Sequence, residues 1–214
     1  MYPQGILEQE GRMFLESDQL TTPEIYKLLT GGILPRPIAW VSSKDENGVT
    51  NLAPYSFFTV ASCNPPVLSL TYINSPDKRM KDTLLNLQIT GECVVNVVSA
   101  DQAEQMNQSC ANYPPEVSEF DAVGVETVPS HKVAIVGVKA SKVRYECRLR
   151  EVINVSDLPM GGTLTLLDVV AIYVDDAVYQ NDQINAELLN VIGKLGGNDY
   201  ATTEDQFTID RPAS

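Results

Sequence analysis

Hydrophobic and polar positions alternate most regularly at 143–150, where Val143, Tyr145, Cys147 and Leu149 interleave with Arg144, Glu146, Arg148 and Arg150. That period of two predicts an antiparallel strand with one face in the core and its charged face in water. Shorter apolar, β-prone runs at 38–42, 67–72 and 93–98 also predict strands, the last of them central, because six residues rich in β-branched side chains do not favour helix. Residues 44–48 (KDENG) hold a turn, since Asn47-Gly48 tolerates positive φ, and extension resumes at 49–52, which predicts a hairpin. Asn64-Pro65-Pro66 cannot donate to a ladder and feeds an extended chain into 67–72. A longer β-prone run, 164–174, stops at Asp175-Asp176.

Helical signals are brief. Thr22 as cap, Pro23 in the first turn, an apolar side of Ile25, Leu28 and Leu29, and a stop at Gly31-Gly32 predict one short helix. Asp82-Thr83 opens a helical turn that Gly91 ends. Ser99 with Gln102 resembles a capping box for a helix to about Ser109, 110–124 reads as a surface loop, and 186–192 as a last short helix before Gly196-Gly197. Many strands with short helices between them, and no regular strand–helix alternation, exclude a doubly wound parallel sheet and predict a mainly β fold, a Greek-key barrel. With no repeat, low-complexity tract or linker, residues 1–214 are expected to form a single domain.

Charge narrows the chemistry. A formal net charge of −13 argues against nucleic acid and against an anionic membrane surface as partners. The N-terminal segment lacks the basic-then-apolar pattern of a signal peptide, and no run is long and apolar enough to cross a bilayer, so a cytoplasmic address is expected. Cys63, Cys93, Cys110 and Cys147 show no CxxC spacing and are expected to be reduced, buried and structural. The single histidine, His131, sits in a turn-like segment and is expected at the surface, and no metal site is expected. No GxGxxG follows a strand and no P-loop is present.

Against that acidic background Lys78, Arg79 and Lys81 fall within four residues, followed by Asp82 and the Thr83 hydroxyl at a helix start. Such a cluster suits a phosphate, with Asp82 placed to orient the cations; the alternative is an ordinary solvated loop. The segment 51–58 (NLAPYSFF) mixes donors and apolar surface as a flat heteroaromatic ring requires: Asn51 and Ser56 can hydrogen-bond, Pro54 interrupts the ladder, and Tyr55 and Phe57 offer walls. Ser42 and Ser43 end the preceding strand, where hydroxyls can reach the same ligand. Phe58 and Trp40 are read equally as contacts or as packing. Arg36, between two prolines, is either an electrostatic helper or an exposed barrel-edge arginine.

Taken in order, RPIAWVSS, the Asn-Gly turn, NLAPYSFF, NPP, KDT and a late GKLGG with Tyr200 resemble the flavin reductase-like group of FMN-binding split β-barrels, which includes the flavoredoxins. The similarity runs from about Leu34 to Tyr200. It implies a split barrel, a homodimer, non-covalent FMN near the subunit interface, with FAD as the alternative flavin, and oxidoreductase activity without a side-chain nucleophile. The implied cofactor contacts are Arg36, Ser42, Ser43, Asn51, Leu52, Ala53, Pro54, Tyr55, Ser56, Phe57, Arg79, Lys81, Asp82 and Thr83. Lys194 stands where many relatives carry arginine, which puts a direct role there in doubt, and Tyr200 either approaches the flavin or packs the C-terminal segment. Three readings follow: an NAD(P)H-dependent flavin reductase, an FMN electron carrier served by a redox partner protein, or a barrel for another phosphorylated small molecule.

Overall fold

The computed structural model describes residues 6–9, 12–75 and 80–212. Seven strands form one antiparallel sheet: β1 (Ala39–Lys44), β2 (Thr50–Tyr55), β3 (Phe58–Cys63), β4 (Pro66–Ile73), β5 (Glu92–Val97), β6 (Val143–Asn154) and β7 (Gly162–Val174). Their order across the sheet is β2-β1-β5-β6-β7-β4-β3. The two edge strands, β2 and β3, are therefore neighbours in sequence, separated only by Ser56 and Phe57. Three peptide steps span at most about 11 Å, so the sheet has to curl until its edges face each other. Thr71 N donates to Phe57 O at 2.9 Å, which carries the β3–β4 ladder one residue past Phe58, and the Tyr55 ring of β2 meets the Tyr72 ring of β4 edge to face with centroids 4.8 Å apart. No ladder joins β2 to β3 among the described residues, which makes the barrel split. The fold is the mainly β split barrel expected.

Local chemistry explains the turns. Asp45 Oδ1 accepts from Asn47 N (2.9 Å) and Val49 N (2.7 Å), and Gly48 takes φ +91°, so the β1–β2 hairpin closes where the Asn-Gly pair predicts. Helix α1 (Thr22–Gly32) starts one residue earlier than expected in its capping: Thr21 is the cap, in a box with Glu24. The helix also runs through Gly31-Gly32 instead of stopping before them, and its Leu28 and Leu29 lie exposed. Helix α2 (Asp82–Thr90) ends at Gly91, whose φ of +72° is the left-handed conformation glycine adopts at no steric cost. Leu84 and Leu87 of α2 enter the barrel interior, packed with Val41, Leu70, Tyr72, Cys93, Val95, Cys147 and Leu167. The outer face of β1 and β2 carries Trp40 and Leu52 into a second cluster with Met106 of α3 (Ala103–Gln108) and Phe120 of α4 (Glu119–Ala122).

Four expectations change. Arg144 and Glu146 are buried, not solvated, because 130–141 folds over that face of β6. Arg144 donates to Ser141 O (2.8 Å) and Val138 O (3.2 Å) and lies 3.6 Å over the Tyr173 ring, while Glu146 accepts from His131 N (2.8 Å) and Lys132 N (2.5 Å). The stretch 110–124 is more than surface loop, since it holds α4 with Phe120 buried. The last helix is shorter, Ala186–Leu189. Cys93 and Cys147 are buried, but Cys63 and Cys110 are exposed. His131 is exposed, as expected. Among the described residues, no helix is long and apolar enough to cross a membrane.

Candidate functional site

Strand β2 is an edge strand, so Pro54 can occupy it without breaking a second ladder. The same edge position leaves its other flank for side chains and ligands. Across from it stands the start of α2, where Lys81 occupies the cap position and makes no side-chain cap hydrogen bond. Thr83 joins the two elements: its hydroxyl oxygen accepts from Asn51 Nδ2 and from Tyr55 Oη, each at 2.9 Å, and the residue is almost wholly buried. A cavity of about 450 Å³ opens over this junction, lined by Asn51, Ala53, Pro54 and Tyr55 from β2 and by Met80, Lys81, Asp82 and Thr83 from the entry to α2. A second cavity of about 350 Å³ shares Pro54, Tyr55, Ser75 and Lys81 with the first and extends past Ser56, Phe57, Thr71 and Met160.

Of the residues singled out in the sequence, Asn51, Ala53, Pro54, Tyr55, Lys81, Asp82 and Thr83 therefore share one cavity, and Ser56 and Phe57 line the adjoining one. Lys78 and Arg79 lie outside the described residues. Ser42, Ser43 and Leu52 are fully buried and line neither cavity. Their polar groups are used within the fold: Asn96 Nδ2 donates to Ser42 Oγ (3.1 Å), Asn86 Nδ2 donates to Ser43 Oγ (3.1 Å), and Leu52 N donates to Glu119 Oε2 (2.8 Å). Trp40 is packing: it is wholly buried, with Nε1 donating to Ser109 Oγ at 2.9 Å. Phe58 packs against the interior cluster.

Arg36 is neither exposed nor aimed at the large cavity. It is buried and donates to Thr30 O (2.5 Å) and Ile33 O (3.0 Å) at the end of α1 and to Leu195 O (2.9 Å), with Nε 3.4 Å from Ser56 Oγ. Its charge thus sits where α1 exposes unpaired carbonyls. Lys194 lies 4.0 Å over the Tyr200 ring, and the Tyr200 hydroxyl donates to Asn107 Oδ1 at 3.3 Å. The far wall of the large cavity, 109–113 with Glu119, carries no motif and was not anticipated from the sequence. The only hint is the expected end, at about Ser109, of the helix that the Ser99 capping box opens.

Burial sets the electrostatics of these walls. It pushes the Tyr55 hydroxyl well above its ordinary range, against an opposing effect of neighbouring Thr83, so Tyr55 stays protonated and donates. Glu119 is also shifted upward, by burial first, opposed by the Leu52 N–H and reinforced by nearby Asp82. Lys194 is shifted downward by burial and by Arg36.

The family described as flavin reductase like domain matches residues 31–190. The chain belongs to that family. A nitrilotriacetate monooxygenase component B from Bacillus cereus shares the fold at TM-score 0.89 and 34% identity, over 94% of this chain and 100% of that one. A 2-nitrobenzoate 2-nitroreductase of Pseudomonas fluorescens follows at TM-score 0.83 and 29% identity, covering 93% and 96% of the two chains. An uncharacterised protein of Halalkalibacterium halodurans is 38% identical over 94% of this chain and 97% of its own length. The flavoredoxin of Desulfovibrio vulgaris, 14% identical at TM-score 0.73 over 85% of this chain and 93% of its own, shares the fold. The cleft between β2 and α2 is this flavin reductase-like chain's candidate site.

Proposed function

We propose that this protein is an oxidoreductase that binds FMN non-covalently in the β2–α2 cleft and reduces it with NAD(P)H. One observation carries the reading: Thr83 at the start of α2 is bonded to both Asn51 and Tyr55 of β2, so the candidate phosphate end and the candidate ring wall belong to one cavity. The donor set fits the cofactor. The N-terminus of α2 and the exposed Lys81 ammonium suit a phosphate, and about 450 Å³ lies within the range of small-molecule sites. Family membership, and relatives named as a monooxygenase component and a nitroreductase, support a redox role.

FMN held there would supply the redox chemistry, as an acceptor of hydride from a reduced nicotinamide. The chain's own residues position and exclude. Pro54 and Ala53 keep that stretch of wall free of competing donors, Tyr55 holds its proton and fixes Thr83, and Asn51 ties β2 to the helix start. Lys81 neutralises part of the phosphate charge, which Asp82 and Glu119 on the same wall would otherwise oppose. The adjoining cavity past Ser56, Phe57 and Met160 offers room for the second substrate. The split barrel acts as a single domain, and the exposed apolar residues Leu28, Leu29, Ile33 and Leu34 around α1 support a homodimer that covers them.

Anaerobic addition of NADH or NADPH to the FMN-loaded protein tests the activity. Loss of the oxidised-flavin absorbance with either is expected. Tight FMN binding without reduction by either nicotinamide would replace the reductase by an electron carrier served by a protein partner, and failure to take up FMN would overturn both.

A further inference from the structure

Cys93 and Cys147 face each other directly across the β5–β6 ladder in the barrel interior, both with no solvent exposure. Leu149 N donates to Gly91 O at 2.8 Å, two residues along from the cysteine pair on each strand, so the cysteines occupy a hydrogen-bonded position of the ladder. Opposed residues at such positions have Cα atoms about 5.5 Å apart, inside the Cα range of disulfides, and their Cβ atoms draw together by about 1 Å as the bond forms. Cys147 Sγ donates to Tyr145 O at 3.5 Å, and the Cys147 thiol is pushed well up, first by the adjoining Cys93 thiol and then by burial. Beside them in the same cluster, the buried Tyr72 hydroxyl has no hydrogen-bond partner among the described residues. Cys63 and Cys110 are exposed and stand on other elements, Cys63 ending β3 and Cys110 in the cavity wall.

We propose that Cys93 and Cys147 are a latent cross-strand disulfide, a redox modification site that can lock β5 to β6 beneath α2. Closure replaces two S–H bonds by one S–S bond and releases two protons and two electrons. A diazene oxidant accepts both hydrogens across its N=N bond to become a hydrazine; a peroxide accepts them on breaking its O–O bond to give water. A thiol held protonated is a weak nucleophile, so the reaction proceeds when the β5–β6 ladder opens rather than in the closed barrel. The inference does not depend on the flavin reading, since neither cysteine lines the cleft.

Differential labelling tests it. The folded full-length protein is treated with iodoacetamide to block Cys63 and Cys110, incubated with diamide in sub-denaturing urea, then denatured and treated with a second alkylating reagent. Peptide mass spectrometry is expected to find the Cys93 and Cys147 peptides joined, lighter by two hydrogens than the separate pair and carrying no second label. The urea midpoint of the oxidised protein should rise, and reduction should reverse both changes. Recovery of both peptides with the second label after an incubation long enough for global unfolding and refolding would overturn the proposal. So would joining of either cysteine to a different chain. In Cys93→Ser, Cys147 should take the second label in full; if that variant does not fold, Cys147→Ala provides the same control on Cys93.

Discussion

Strands β1 and β2 form one hairpin and carry similar numbers of polar side chains, yet their polar groups meet opposite fates. On β1, Ser42 and Ser43 are wholly buried and hydrogen-bonded to Asn96 and Asn86. On β2, Asn51 and Tyr55 reach a cavity and meet Thr83 there. Position in the sheet makes the difference. Strand β1 lies between β2 and β5 and is covered by the interior cluster on one face and by α3 and α4 on the other, so its hydroxyls can be satisfied only inside the protein. Strand β2 is at an edge and faces a helix start whose cap residue, Lys81, makes no side-chain cap hydrogen bond, so its polar side chains meet a cavity wall and not a second strand. A hydroxyl at a strand end becomes part of a site when that strand is an edge, not merely because it is polar.

Four substitutions probe this contrast. The largest effect is expected from Asn96→Ala, behind β1. Asn96 donates to Trp40 O at 2.8 Å and accepts from Val138 N at 2.8 Å, both buried. Leaving these groups unpaired should cost about 3 kcal/mol, read as a lower urea midpoint, with FMN affinity per folded molecule unchanged. Thr83→Val at the junction should lower stability by about 1.5 kcal/mol and also weaken FMN binding about tenfold, because Asn51 and Tyr55 lose their common acceptor. If both variants changed stability alone, the functional distinction between the strands would fail.

Lys81→Gln separates binding from folding. The side chain is exposed, so stability should stay within about 0.5 kcal/mol while FMN affinity falls several-fold and its salt dependence flattens. The smallest effect concerns Glu119. Its folded-state pKa is raised above the usual 4.5, so the folded form keeps its proton to higher pH than the unfolded chain does. The sign follows: this carboxyl lets stability decline as pH rises from about the usual value through the raised one, and Glu119→Gln should flatten that decline by less than about 1 kcal/mol. Urea titrations at pH 4, 5, 6 and 7 check it. A variant whose stability falls with pH as steeply as the wild type would remove Glu119 from the account.

What the sequence made legible was governed by short range. The Asp45-to-Gly48 turn, the Gly91 stop and the capping box at Ser99 depend on residues within a few positions of each other, and each appears where its chemistry places it. The convergence of 51–55 with 81–83 was legible because both segments carry motifs. Ser42 and Ser43 looked equally available because their partners lie at Asn96 and Asn86, on elements whose approach no local pattern encodes. Arg144 and Glu146 gave a clean alternation, but 130–141 supplies the carbonyls and N–H groups that make their burial tolerable. The wall at 109–113 has neither periodicity nor motif, and is placed by contacts from afar such as Trp40 to Ser109.

The central claim is that an edge strand and a helix start together hold FMN. Titrating flavin-free protein with FMN, following flavin fluorescence, in wild type, Lys81→Gln and Ser42→Ala tests it most directly. Saturable binding near one FMN per chain, weakened in Lys81→Gln and equal to wild type in Ser42→Ala, is the predicted result. Absence of binding, or loss of affinity in Ser42→Ala with none in Lys81→Gln, would contradict it.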